Sequence, residues 1–355
     1  MVKPLLVFAG SRAAAKLESE GWDANLFSLL LGASGGPKWL ILNQLDKYLF
    51  GNFLKANSNG LLSLGSSIGA WRHACLAQKD PLKALERMEY EYLYQQYSCE
   101  HPSIEEVTEV AEQIVDRVLA DNLQEITCHP TIQTAISVSR GIHNIQEENN
   151  FRLAIGLARA AFSNIFSRKL LANHFERVIF QTRPSNINDN YIEDVFTTET
   201  VSLSEKNIKS VLLATAAIPF VLNPVLDIAG TSRGTYWDGG IIDYHFNLSS
   251  IKHDGLILYP HFRDTIIPGW FDKSLKWRHQ SCQAKENIVL LCPSPEFVAS
   301  LPGRKIPDRN DFRTMKEDHR IKVWKECITK SKALAEEMQA MVENNNPLAG
   351  INIIQ

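Results

Sequence analysis

The sequence has little that would staple or anchor a chain from outside. No two of its six cysteines form a C-x-x-C pair, and 355 residues can bury a core without disulfides. Cys75, Cys99, Cys128, Cys282, Cys292 and Cys327 therefore read as reduced thiols in a cytosolic setting. Cys128 and His129 are chain neighbours, but catalytic Cys and His meet in space rather than in sequence, so the pair reads as structural. No uninterrupted apolar run approaches the ~20 residues of a membrane span. The longest apolar stretch, Val211 to Ala229, is broken by Pro219, Asn223, Pro224 and Asp227. The N-terminus, Met1 to Gly10, carries one positive charge and an apolar run shorter than the roughly 7–15 residues of a signal-peptide core. It reads as a first β-strand. There is no excess of one charge: 37 Lys and Arg face 40 Asp and Glu, which argues against a nucleic-acid partner. No cluster of His, Cys, Asp and Glu has metal-ligand spacing, so neither a metal nor a cofactor is expected.

What is present is an alternation of short apolar runs and helical patterns. Residues 26–32 form an apolar run ending in a glycine-rich turn, followed by helical spacing from Trp39 to Phe50. Residues 61–64 repeat the pattern, ending at Gly65, with a helix over 70–76. Two successive strand–turn–helix units predict an α/β sheet. Residues 80–127 read as a charged helical insertion, and 132–139, 178–182, 195–201, 256–259 and 288–292 as further strands. Met315 to Val342 reads as a long charged helical region. A main unit over 1–300 and a helical extension over 301–355 packed on it are expected. The polar stretch 302–311 is either a lid or a solvated connection, the latter being favoured. Phe151 to Leu171 is strongly helical, with apolar residues at 151, 154, 155, 158, 162 and 165. It carries Arg152, Arg159, Arg168 and Lys169 and no acid, so it could rest on an anionic membrane surface. Its cations do not share one stripe, which favours an internal or capping helix.

Three blocks could carry chemistry. Gly65-Ser66-Ser67-Ile68-Gly69 fits G-x-S-x-G between a strand and a helix. A sharp turn there exposes the Ser67 oxygen above the sheet edge, and the flanking Gly65 and Gly69 let strand and helix approach closely. Gly32-Ala33-Ser34-Gly35-Gly36-Pro37-Lys38-Trp39 also joins a strand to a helix, and its backbone N–H groups could hold an oxyanion beside the Lys38 charge. A phosphate-binding P-loop is excluded at this block. Pro37 stands where a glycine is needed, and Trp39 where Ser or Thr would bind magnesium. The third block is Trp237-Asp238-Gly239-Gly240, preceded by Ala214-Thr-Ala-Ala-Ile-Pro219. Its tight turn leaves the Asp238 carboxylate able to point into a site.

Taken in order, Ser34-Gly35-Gly36-Pro37-Lys38, Gly65 to Gly69, Ala216-Ala217-Ile218-Pro219 and Asp238-Gly239-Gly240 resemble the patatin-like phospholipase family. The resemblance spans roughly residues 26–245. It implies a three-layer α/β/α fold and a Ser67–Asp238 dyad without a catalytic histidine. The oxyanion hole would be built from the turn holding Ser34, Gly35, Gly36 and Lys38 together with Ile68, and Gly239 and Gly240 would shape the Asp238 turn. It further implies hydrolysis of acyl esters, lipids above all, through an acyl-enzyme on Ser67, with peripheral contact to membranes. The family's usual arginine in the oxyanion turn is Lys38 here, which keeps the charge and loses the planar fork. After Gly240 the chain reads Ile241-Ile242-Asp243 instead of a polar pair. A thioesterase or acyltransferase on the same dyad stays open, as does a non-catalytic lipid-binding protein. A Ser–His–Asp triad is also available in chain order, because His245, His253 and His261 follow Asp238.

Overall fold

The architecture was taken from a computed structural model that describes residues 3–147, 149–183, 191–281 and 285–354. Cys282 and the first two residues of the expected N-terminal strand lie outside the described residues. In chain order the elements are β1 (Leu5–Gly10), α1 (Ser11–Glu20), β2 (Phe27–Gly32), α2 (Asn43–Tyr48), β3 (Leu61–Ser66) and α3 (Ile68–Leu76). Then follow α4 (Pro81–Leu93), α5 (Ile104–Leu119), α6 (Leu123–Thr127), β4 (Ile132–Gly141), α7 (Asn150–Phe166), α8 (Arg168–Leu171), β5 (Phe175–Gln181) and β6 (Thr198–Ser202). The rest are α9 (Ile208–Ala216), β7 (Val225–Leu226), β8 (Thr235–Trp237), β9 (Leu256–Pro260), β10 (Thr265–Ile266), β11 (Gln280–Ser281), β12 (Ile288–Pro293), α10 (Pro295–Ser300), α11 (Asp311–Thr314), α12 (Glu317–Lys330), α13 (Lys332–Val342) and β13 (Ile351–Ile354).

The result is a mixed α/β fold on one large central sheet, ordered β13-β1-β12-β9-β2-β3-β4-β5-β6. Its middle is parallel from β12 through β9, β2 and β3 to β4. These strands read as continuous apolar runs because both faces are covered; β9 and β12 are buried at every position. The flanks turn antiparallel, β1 on β12 and β5 on β4. The last strand, β13, returns to the far edge and pairs with β1.

One strand, β4, brings Ser67 and Asp238 together. β3 pairs with β4 up to Ser66 opposite Ser137 and then stops. β5 fills the other edge of β4 along its upper length, so the short β8 takes up the edge that β3 vacates, with Trp237 opposite Ser139. Ser67 and Asp238 each follow directly on a strand that ends against β4. Two residues 171 positions apart are thereby delivered to one point.

Several expected elements differ in detail. The stretch Trp39–Phe50 is helical but not one α-helix: a 3₁₀ segment over Gly36–Ile41 precedes α2, and a π-type turn over Leu49–Phe53 follows it. The strand expected over 195–201 begins only at Thr198. Asp194 accepts a hydrogen bond from the N–H of Phe196 and folds the preceding residues into a turn. The helix expected from Phe151 to Leu171 breaks at Ser167, which is extended and whose hydroxyl accepts from the N–H of Lys169. The C-terminal helical region divides into α12 and α13 at Ser331. Among the described residues no helix is long and apolar enough to cross a membrane.

The larger correction concerns α7. Its buried residues are Leu153, Gly156, Ala160 and Asn164. The apolar stripe that marks the helix in the sequence points the other way: Phe151, Ile155, Phe162 and Ile165 are exposed. A regular apolar stripe normally marks the buried face. Here small residues make that face, because the helix must pass close to the segment 143–146. A Cβ on Gly156 would sit 2.9 Å from the Ile145 side chain.

Candidate active site

Ser67 occupies the sharp turn between β3 and α3 with φ 53° and ψ −130°, a left-handed conformation that serine adopts at a cost of about 1–3 kcal/mol. The two glycines of the motif are needed for contact. A Cβ on Gly69 would stand 2.1 Å from the carbonyl oxygen of Gly32, and one on Gly65 would stand 2.6 Å from the Cα of Ala70. The turn is held by Thr215 on α9. Its hydroxyl accepts from the Ser67 N–H at 2.9 Å and donates to the Ser137 carbonyl at 2.6 Å.

The Ser67 hydroxyl donates to Asp238 Oδ2 at 2.9 Å, and both residues are nearly enclosed, 3% and 6% exposed. The other carboxylate oxygen of Asp238 accepts from the N–H of Gly240 at 2.6 Å. The Asp238 N–H donates to Ala217, which ties the alanine-rich block to the aspartate turn. Gly239 and Gly240 pass so close to Ser137 and Ser34 that a Cβ on either would collide. Burial raises the pKa of Asp238 above the usual carboxylate range. The Arg309 charge, the Gly240 N–H, the Ser67 hydroxyl and Lys273 oppose that rise without cancelling it.

A buried ionic network lies behind this turn. Asp243 accepts from the Ser137 hydroxyl at 2.6 Å and from two nitrogens of Arg177 at 2.8 and 2.9 Å. Arg177 also grips both oxygens of Asp194, and it is fully buried. Asp243, three residues after Gly240, thus ties the loop carrying Asp238 to Ser137 and Arg177.

The glycine-rich turn lies alongside. Gly35 and Gly36 lead into the 3₁₀ segment, and among the described residues no acceptor engages the Gly35 N–H. The Gly36 and Ile68 N–H groups belong to the first turns of their helices, where no intrahelical acceptor exists. The Ser34 N–H is occupied by the Tyr244 carbonyl, and its hydroxyl donates to Ser66. Lys38 points its ammonium over the Phe262 ring, 4.8 Å from the centroid. Burial and the neighbouring Arg263 pull it down to about 8.

Two grooves meet at Ser67. One, of about 510 Å³, is lined by Ser34, Gly35, Lys38, Asp238, Tyr244 and Lys273 together with apolar side chains from α7 and the 270–271 segment. The other, of about 790 Å³, runs past Gly36, Ile68 and Trp71 towards α5. Both include Ser67, Ile218, Phe220 and Arg309. Within the polar stretch 302–311, much of which is exposed, Asp308, Arg309 and Asn310 form part of this wall. Lys305 and the Trp324 indole clamp Asp311, and Arg309 lies over the glycine-rich turn, its Nε 3.1 Å from where a Gly36 Cβ would be. Lys273, set over the Tyr244 ring, is lowered to about 7 by desolvation of its ammonium and by the Arg309 and Lys38 charges.

The histidines take no part in this geometry. His245 is buried, with Nδ1 accepting from the N–H of Ile267. His261 bonds to the Arg263 backbone, and His253 to Ser28. None of the three hydrogen-bonds to Ser67 or Asp238. His129 uses Nδ1 to accept from the N–H groups of Thr131 and Ile132, a turn-forming role. The sequence reading missed Thr215, Arg309, Lys273 and the Arg177–Asp243 pair. Thr215 and Arg309 stood inside stretches that it had marked, but nothing local shows which residues they face.

No protein-family model matches the chain, and no curated protein matches it. Among solved structures it is similar to human GIVD cytosolic phospholipase A2, with 12% identity and a TM-score of 0.39, over 94% of this chain and 64% of that one. It is also similar to the type III effector protein ExoU, with 14% identity and a TM-score of 0.29, over 91% of this chain and 58% of that one. The chain therefore spans about three fifths of the length of these solved structures. Similarities this loose carry no argument about activity.

Proposed function

We propose that this chain is a patatin-like serine hydrolase, on a three-layer α/β/α arrangement, that cleaves acyl esters of lipids. The observation that carries the reading is the Ser67 hydroxyl, strained on a strand–helix turn, donating at 2.9 Å to a buried carboxylate at the junction of two grooves. Asp238 accepts the Ser67 proton as Oγ bonds to the ester carbonyl carbon. The carbonyl electron pair moves onto oxygen, where the N–H groups of Gly35, Gly36 and Ile68 receive it and the charges of Lys38 and Arg309 stand near. As the tetrahedral adduct collapses, the carbon–alkoxy bond breaks and the alcohol leaves with the proton from Asp238. Water then adds to the acyl-enzyme, gives its proton to Asp238, and the acid departs as Ser67 regains that proton. A carboxylate in its ordinary range, near ~3.9, is a feeble base for an alcohol. Burial of Asp238 raises its basicity in the direction this step needs. Largely apolar grooves with a few convergent polar groups suit an acyl chain on one side and the rest of a lipid on the other.

The test is labelling with a fluorophosphonate, read by intact mass, on wild type, Ser67→Ala and Asp238→Asn. A single adduct on wild type and none on Ser67→Ala, with labelling of Asp238→Asn slowed about 100-fold or more, is the expected result, in line with the usual 10²–10⁴ contribution of a general base. Labelling of Asp238→Asn at the wild-type rate overturns the dyad, and an unlabelled wild type moves a non-catalytic lipid-binding protein to the front.

A further inference from the structure

We infer that the outward face of α7 is the surface on which this protein docks to an anionic lipid bilayer, placing the mouth of the Ser67 groove against the membrane. The inference rests on the lipid reading above and names the element that meets the substrate's source. Phe151, Phe162 and Phe166 are 74%, 64% and 68% exposed, with Ile155 and Ile165 beside them on the same side of the helix. Phe162 and Phe166 pack edge to face, 5.0 Å between centroids, so they form one continuous apolar surface. Scattered exposed apolar residues are ordinary, whereas a contiguous aromatic face on a firmly seated helix marks an interaction site. The helix is seated. Asn164 donates to the buried Asp272, and Arg278 bonds to both Asn164 and the Ile165 carbonyl. Trp277, the chain neighbour of Arg278, is itself 71% exposed.

Two further observations choose a bilayer over a protein. The first is continuity with the site: Leu157, Ala158 and Ala161 of α7, with Trp270 and Phe271, line the groove that reaches Ser67. An acyl chain withdrawn from a bilayer under α7 would pass directly into that groove. The second is charge. The sequence of α7 contains Arg152, which pairs with Glu147, and Arg159, and no acid. Arg159, Lys169 and Lys276 are exposed and have no acidic partner among the described residues. Aromatic rings flanked by uncompensated cations fit the boundary between acyl chains and anionic headgroups.

Co-sedimentation with vesicles tests this on the full chain. Wild type and Ser67→Ala are expected to bind phosphatidylcholine vesicles containing phosphatidylglycerol more tightly than phosphatidylcholine alone. The double variant Phe162→Ser with Phe166→Ser, neither of which lines the Ser67 groove, should bind at least about tenfold more weakly because each ring no longer leaves water. Arg159→Glu with Lys169→Glu should lose the preference for the anionic vesicle. Hydrolysis of a short soluble ester should be unchanged in both variants, which reads the Ser67 chemistry apart from docking. The inference is overturned if the phenylalanine variant binds vesicles like wild type. It is equally overturned if wild type binds none and self-associates through this face, with the same substitutions restoring the monomer. Loss of soluble-ester hydrolysis in wild type would instead sink the hydrolase reading and leave the vesicle result standing.

Discussion

Thr215→Val is the substitution that most directly examines how the Ser67 turn is held. Valine has nearly the shape of threonine, so the change removes an oxygen and leaves packing almost intact. That oxygen serves two backbone groups, the N–H of Ser67 at 2.9 Å and the carbonyl of Ser137 at 2.6 Å. Thr215 is fully buried, and Gly239 closes the space about the Ser137 carbonyl. A buried donor or acceptor left unsatisfied costs about 1–3 kcal/mol, so the two together predict a loss of about 2–6 kcal/mol if neither finds a substitute. The Ser67 φ of 53° adds a reason for the turn to relax once the hydroxyl is gone. Relaxation would carry Oγ away from Asp238. A misplacement costing about 1.4 kcal/mol in the transition state already slows reaction tenfold. Thr215→Ser keeps the oxygen and gives up a methyl group, worth about 0.8 kcal/mol. Urea unfolding and the rate of fluorophosphonate labelling measure both effects. The valine variant is expected to be less stable by more than about 2 kcal/mol and to label at least about tenfold more slowly, with serine near wild type in both. A valine variant that keeps wild-type stability and labelling rate would refute the claim that Thr215 holds the turn.

Two other expectations come from charges around the site. Because burial raises Asp238 and only the ionised form accepts a proton, the acid limb of kcat/KM should lie above the ordinary carboxylate range near ~3.9, with activity lost as pH falls through it. Arg309→Gln removes the largest of the opposing charges and should move that limb higher still, while Arg309→Lys should leave it nearly in place; a limb that moves lower in the glutamine variant contradicts the assignment. Arg177→Ala leaves Asp194 and Asp243 buried without their partner and should cost about 3–5 kcal/mol in urea unfolding, with activity lost as the Asp238 loop shifts. A loss below about 1 kcal/mol would mean that the network does not anchor the loop.

The parts of this molecule that were legible in the sequence are those set by neighbours along the chain. The G-x-S-x-G turn announces itself because strand, glycine, serine and helix follow one another within a dozen residues, and the central strands do so because parallel strands buried on both faces are unbroken apolar runs. What stayed hidden is set by residues brought together across the sheet. Thr215 acquires its role only because α9 passes behind Ser67, and Arg309 only because the 302–311 stretch is folded over Gly36, with Asp311 tied to Lys305 and Trp324. The case of α7 is different in kind. Its apolar period was read correctly as helical, but a period carries no sign: it marks a stripe without saying which way the stripe faces. The sign is set by Gly156 and Ala160, whose small side chains allow close seating and leave the phenylalanines outside. Burying the aromatic face instead would demand that the helix stand off from the segment at 143–146, and the seating bonds of Asn164 to Asp272 and of Arg278 to Asn164 would be lost. A globular chain with no use for that surface would gain by making those positions polar. Retaining large apolar residues on the outside of a well-anchored helix, beside the entrance to a groove, departs from the local rule where a functional demand accounts for it. On the proposed reading, the strained serine and the inverted helix are two departures of the same type, one serving the reacting atom and the other its access to lipid.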